Sequence, residues 1–340
     1  MQNQCELPET MFRALPIRPP LTAASIMTDE LLKKIVLQTI AYFHLFKIPL
    51  TASEIRKNLF QPPCSWTFHE VETAASEMDG KILGSREGFY FFKGNDEFVE
   101  IRKTRYLISD RLIKQNRPFI GLLSRIPFVR AIFICNTLSC QNATDMSDVD
   151  LAIVCAKGRI WLVRFAAAAL MKLLMKRPKA ENTRNKICLS FFVSEADLNL
   201  QPLAYDEDIH FIYWLNQFMP IFDPTDFNAK LRTANSWTEE FLPNNHSNDT
   251  CKRWRVQFSS KTKRVLEKLL VGTLGNSVEA VLKRLQLKIM PAPLKKQAAK
   301  NNSNVVLSDE VLKFHDKDKR LYYRDNWKTL CQRLIDPTQI

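Results

Sequence analysis

Three aspartate pairs in this 340-residue chain have the spacing D-x-D: Asp148/Asp150, Asp206/Asp208 and Asp316/Asp318. Carboxylates at i and i+2 of a strand project from one face. So close together, they repel unless a cation sits between them, and Mg²⁺ with oxygen ligands and substrate phosphates suits such a pair. Spacing does not choose among the three, but context does. Asp206 and Asp208 head an expected helix, where acids stabilise the positive end of the macrodipole. Asp316 and Asp318 lie in the alternating run His-Asp-Lys-Asp-Lys-Arg, the pattern of a solvated face. Asp148 and Asp150 lead directly into the apolar run Leu151, Ala152, Ile153, Val154, Cys155. The pair is therefore expected at a strand mouth as metal ligands; the alternative, Ser147-Asp148 as a plain turn entering a strand, needs no metal.

The elements that must position the pair follow from periodicity. Another apolar run, 131–135, precedes it by one connection, and a third, 187–193, follows a helix expected over 160–175, which predicts an α/β region with a sheet buried on at least one face. Upstream, Leu31, Leu32, Ile35, Val36, Ile40 and Phe43 recur at helical spacing. Thr51 with Glu54 and Thr67 with Glu70 form capping boxes for two further helices, and Ile82 to Phe92 read as a β-hairpin. Three helices and a hairpin are the order of a winged helix. Its third helix, the one that would enter a DNA groove, carries His69, Glu70, Glu72 and Glu77, and carboxylates repel phosphates; packing against a neighbouring domain or another protein is the expectation.

The expected organisation is a flexible lead at 1–27, a winged-helix domain at 28–96, a connecting helix at 97–117 with a boundary near Pro118, a sheet domain with a helical extension at 118–242, a polar break at 243–249, and a basic helical region at 250–340. Trp214, Leu215, Phe218 and Trp237 are expected core of the extension.

The stretch Cys135, Asn136, Thr137, Leu138, Ser139 and then Met146, Ser147, Asp148, Val149, Asp150, Leu151 resembles the DNA polymerase beta-like nucleotidyltransferase superfamily. The superfamily signature is Gly-Ser on a turn followed by Ser-Asp-x-Asp at the next strand. Over residues 28–335 the order of elements also resembles bacterial nucleotidyltransferase-domain proteins with an N-terminal winged helix. The resemblance implies a nucleotidyltransferase-fold mixed sheet with flanking helices, Asp148 and Asp150 as catalytic metal ligands, and Asn136, Thr137 and Ser147 as nucleotide-binding residues. Asn136 stands where the family has glycine, and asparagine tolerates left-handed geometry better than most residues. The family's third carboxylate, on the following strand, falls at Cys188 or Ser190, with Glu195 and Asp197 just beyond.

The implied activity is transfer of a nucleotidyl group from a nucleoside triphosphate to an unidentified acceptor, with Mg²⁺ or Mn²⁺ as cofactor. Arg159 or Arg164 is expected to neutralise phosphate charge, unless each snorkels from its helix. The alternative is a catalytically degenerate domain that senses a nucleotide or acts as a scaffold. Of the formal net charge of +13, residues 251–340 contribute +12, from 20 Lys+Arg against 8 Asp+Glu. That points to nucleic acid or a protein as partner of the C-terminal region, or to a merely solvated surface. Val278, Val281, Leu282, Leu285 and Leu287 with Lys283, Arg284 and Lys288 make a basic amphipathic helix, read as packed on its own domain rather than attached to a membrane. Eight scattered cysteines, with no C-x-x-C pair and no histidine at zinc spacing, point away from structural zinc and fit a reducing cytoplasm.

Overall fold

The computed structural model describes residues 23–179, 181–245, 253–257, 261–300, 303–315 and 318–335. The lead up to residue 22, positions 246–249 of the polar break, and Asp316 lie outside the described residues.

The N-terminal unit forms as its caps dictate. Helix α1 (Ala23–His44) is followed by β1 (Leu50–Thr51), α2 (Ala52–Lys57), α3 (Phe68–Glu77), β2 (Leu83–Arg86) and β3 (Phe89–Phe92). Both capping boxes are closed: Thr51 accepts from the Glu54 amide and Thr67 from the Glu70 amide, while each glutamate reaches back to its threonine's N–H. The strands pair antiparallel in the order β1-β3-β2. Helix α3 leaves His69, Glu70 and Glu77 exposed, with Glu77 paired to Lys33 of α1. Both α1 and the segment after α2 join this unit to the rest of the chain: Tyr42 stacks on Tyr213, whose hydroxyl donates to the Asn58 carbonyl (2.7 Å).

Helix α4 (Glu97–Leu123) continues through Pro118, so the connecting helix expected to end at residue 117 runs on to Leu123. Proline removes one N–H from the ladder, yet burial of Leu112, Ile113, Ile120 and Leu123 on the sheet carries the helix past it.

Six strands then form one mixed sheet in the order β7-β4-β5-β6-β9-β8. Its centre is β4 (Val129–Ile134), β5 (Val149–Cys155) and β6 (Ile187–Ser194), the three apolar runs of the sequence. β4 and β5 are antiparallel, with the short helix α5 (Asn136–Ser139) between them; β5 and β6 are parallel, joined by the crossover helix α6 (Ile160–Leu173). Leu151, Ile153 and Cys155 face α4 and α6, whereas Ala152 and Val154 face α7 (Ile209–Asn216) and α8 (Phe227–Ala234). Helices on both faces explain why these strands read as continuous rather than alternating hydrophobic runs.

Three outer strands were not legible in the sequence. β7 (Met219–Phe222) lies within the stretch expected to be helical, and it pairs only with β4, an edge position that tolerates Pro220. β8 (Val305–Leu307) and β9 (Val311–Phe314) lie in the C-terminal region expected to be helical, which instead completes the sheet against β6. The remaining C-terminal elements are α9 (Lys261–Leu269), α10 (Thr273–Ile289), α11 (Ala292–Ala298) and α12 (Arg320–Ile335). Of the five apolar residues expected to pack, Val278, Leu282 and Leu287 of α10 lie on the core that contains α6, whereas Val281 and Leu285 are exposed. No helix among the described residues is long and apolar enough to cross a membrane.

Candidate metal and nucleotide site

Period-two geometry on β5 puts Asp150 on the face of Ala152 and Val154, the face covered by α7, and Asp148 stands one residue before the strand. In the neighbouring parallel strand Cys188 is in register with Asp150. Between that pair and Ala152/Phe191 the register slips because β6 carries one extra residue. This bulge lets Ser190 face the cavity while Phe191 still fills the core beneath α7. One ligand atom each from Asp148, Asp150 and Cys188 lie within 4.8 Å of one another.

The three groups open into a cavity of about 620 Å³. Asn136, Thr137 and Ser147 share its sheet-side rim. In the turn after β4, Asn136 has φ of 58°, the left-handed geometry usually left to glycine. Asn136 also gives that geometry a purpose. Its Oδ1 accepts a 2.6 Å bond from Trp214 Nε1, and its side chain hydrogen-bonds to the Asp150 carboxylate. Glycine would supply neither bond. Asn136→Ala should therefore destabilise the fold by about 1–2 kcal/mol through left-handed strain alone. Asn136→Gly should remove that strain but still loosen Trp214, read as a change in tryptophan fluorescence.

The loop between turn and strand is pinned from three sides. Asn142 accepts from Arg105 of α4 (3.0 Å) and donates to the Phe46 carbonyl beyond α1 (3.1 Å); the Ala143 amide donates to Ser109 (3.1 Å); Ser147 Oγ accepts from the Thr144 amide (2.9 Å). The aspartates are thus held by an N-terminal helix end, the connecting helix and the sheet together.

Electrostatically the pair is uncompensated. No ion pair reaches Asp148 or Asp150 among the described residues. Burial, followed by the charge of Asp148, pushes the Asp150 carboxyl up to about 7, and burial also raises Asp148. Two carboxylates converging without a cation, beside a third donor and an open cavity, match the needs of a divalent metal ion.

Across the cavity the walls are aromatic and mostly neutral. Burial drives the His210 imidazole down to about 4, and its Nδ1 lies 3.0 Å from the Tyr42 hydroxyl. Phe46 and Tyr323 rings are 4.8 Å apart, and His210 and Tyr323 4.6 Å. His315 Nε2 meets Ser190 Oγ at 3.1 Å.

Not every expected residue is here. Arg159 lies off the cavity: its guanidinium donates to the Gly158 and Leu270 carbonyls and to Asn276, stitching α6 to the α9–α10 connection. Arg164 bonds Gln286 of α10 instead. Glu195, beyond the far end of β6, pairs with Arg130 and does not face the cavity. The cations that do line it are Lys313, Arg320 and the exposed Lys319. Nothing in the sequence signalled them, because β9 and α12 reach the site only through long-range strand pairing, and the charged run around Lys319 reads as a solvated face. Asp208, expected to head a helix, does so by accepting from the Phe211 amide, and it also pairs with Arg320.

No protein-family model, curated protein or solved structure matches this chain.

Proposed function

We propose that the protein is a metal-dependent nucleotidyltransferase, moving a nucleotidyl group from a nucleoside triphosphate to an acceptor, and that it has a nucleotidyltransferase-fold sheet preceded by a winged-helix unit. One observation carries the reading: Asp148, Asp150 and Cys188 converge at the mouth of a cavity whose rim holds Thr137 and Ser147.

On this reading Asp148 and Asp150 would hold Mg²⁺ or Mn²⁺, which when bound would supply charge stabilisation to the phosphate oxygens. Thr137 and Ser147 offer hydroxyls to the triphosphate, and Lys319 at the cavity wall offsets its charge. The aromatic and neutral wall of Phe46, His210 and Tyr323 suits a planar base. An acceptor oxygen attacks the α-phosphorus in line, pyrophosphate leaves, and the acceptor's proton passes to a base. With no carboxylate at Cys188 or Ser190, His315 on the cavity wall, bonded to Ser190, is the candidate base.

The thiol at Cys188 favours a second reading, a domain that binds a nucleotide with its metal and transfers nothing. α-Phosphate-labelled nucleoside triphosphates, incubated with the full chain and Mg²⁺ or Mn²⁺ and followed for pyrophosphate release and a labelled product, separate the two. Transfer that falls about a hundredfold or more in Asp148→Ala supports the enzyme, since a metal supplies several kcal/mol of charge stabilisation. Nucleotide binding that depends on Asp148 without any product supports the sensor; absence of both overturns the two together.

A further inference from the structure

The donor set beside the cavity is not the one that Mg²⁺ selects. Two donors are carboxylate oxygens, but the third is sulfur: Cys188, register partner of Asp150 in the adjacent strand, with ligand atoms of all three within 4.8 Å. We propose that Cys188 is a metal ligand and that this centre takes a thiophilic divalent ion, of the Zn²⁺ or Co²⁺ kind, in preference to Mg²⁺. The inference rests on the metal reading of Asp148 and Asp150 given above.

Geometry and donor chemistry carry it. Around a tetrahedral ion, ligands at about 2.0–2.3 Å lie roughly 3.3–3.7 Å from one another. The present separations therefore need to close by only about 1 Å. Side-chain torsions of two aspartates and a cysteine supply that without moving a strand. Cys188 is held in place by the sheet, because its strand neighbours Ile187 and Leu189 are buried in the core on the opposite face. Thiolate is a soft ligand that Zn²⁺ and Co²⁺ accept, whereas Mg²⁺ demands oxygen donors in near-octahedral array. Binding deprotonates the thiol: the S–H bond is exchanged for a sulfur–metal bond and the proton goes to solvent. Three protein ligands leave a fourth position facing the cavity, where a phosphate oxygen or a water fits.

The placement also defines what Cys188 does: bound to metal, its sulfur is no proton acceptor but a ligand that selects the ion.

Titrating the metal-free full-length protein with Co²⁺ tests this through absorption, because thiolate-to-cobalt charge transfer appears in the near ultraviolet only when sulfur coordinates. The expected result is a band saturating at one equivalent, bleached by Zn²⁺ and not by a large excess of Mg²⁺. Cys188→Ser should lose the band and bind Co²⁺ about a hundredfold more weakly. Cys188→Asp should lose the band, retain a metal-dependent thermal shift and gain affinity for Mg²⁺, which also reports that the variant folds. Binding of Co²⁺ through Asp148 and Asp150 with no band overturns the role of Cys188 and leaves the metal reading standing. A band that survives in Cys188→Ser, or that Mg²⁺ erases, overturns the proposal likewise. Failure to bind any divalent ion overturns both readings.

Discussion

Arg320→Ala is expected to lower stability by about 3–5 kcal/mol, the cost of stranding buried charges. The Arg320 side chain is 6% exposed; it donates to Asp208 (2.8 Å), Asp318 (2.8 Å), the Leu203 carbonyl (2.8 Å) and Ser303 (2.6 Å). Its guanidinium also lies over the Tyr205 ring at 4.2 Å. Removing it leaves Asp208, 1% exposed, without its ion-pair partner, and leaves Asp318 paired with Lys313. Lysine at 320 should recover only part of the loss, because an ammonium cannot reproduce the planar fork. The surface pair Lys328–Glu207 is the control: Lys328→Ala should cost about 0–1 kcal/mol, because both groups are solvated. Urea unfolding of the three variants measures the contrast. Equal losses at 320 and 328 would remove the case for a structural charge network. Since Arg320 begins the helix that lines the cavity with Tyr323, its loss should also weaken the nucleotide binding proposed above.

Asp150→Asn should act in the opposite direction on the metal-free protein. The variant keeps the shape and removes one of two crowded like charges, so it should gain about 0.5–2 kcal/mol and melt several degrees higher. If the pair holds a metal as proposed, the same change should abolish stabilisation by the ion, expected in wild type to be about 2.7 kcal/mol at a concentration a hundred times the dissociation constant. The dependence on pH has a definite sign. With the folded Asp150 carboxyl at about 7 and the unfolded one near about 4, the folded chain holds a proton that the unfolded chain has released between those values. The metal-free wild type should therefore lose stability as pH rises from about 4 through about 7. That component should be missing in Asp150→Asn. Metal binding, which displaces protons, should tighten over the same range. Melting curves at several pH values, with and without the ion, check both; an Asp150→Asn protein less stable than wild type throughout would show that the pair is not a store of repulsion.

The two effects connect stability to function through one feature. The site is assembled where burial makes charge costly, and the chain offsets that cost in one place, at Arg320, while leaving it open in another, at Asp148 and Asp150. An uncompensated pair within a packed fold is where a ligand's free energy can be applied.

Sequence alone determined the local pieces. Capping boxes at Thr51 and Thr67, the three apolar runs that became β4, β5 and β6, and the projection of Asp148 and Asp150 toward one point all follow from periods of 3.6 and 2 and from hydrogen bonds within four residues. Tertiary structure decided what those rules cannot reach. Pro118 sits inside a helix because burial outweighs its missing N–H, and β7, β8 and β9 are strands because an unpaired sheet edge was available to them. Whether Arg159 or Lys319 faces the cavity depended on which segment of distant chain closed over it. Side-chain type fixes what a residue is able to bind, but long-range pairing fixes what it meets.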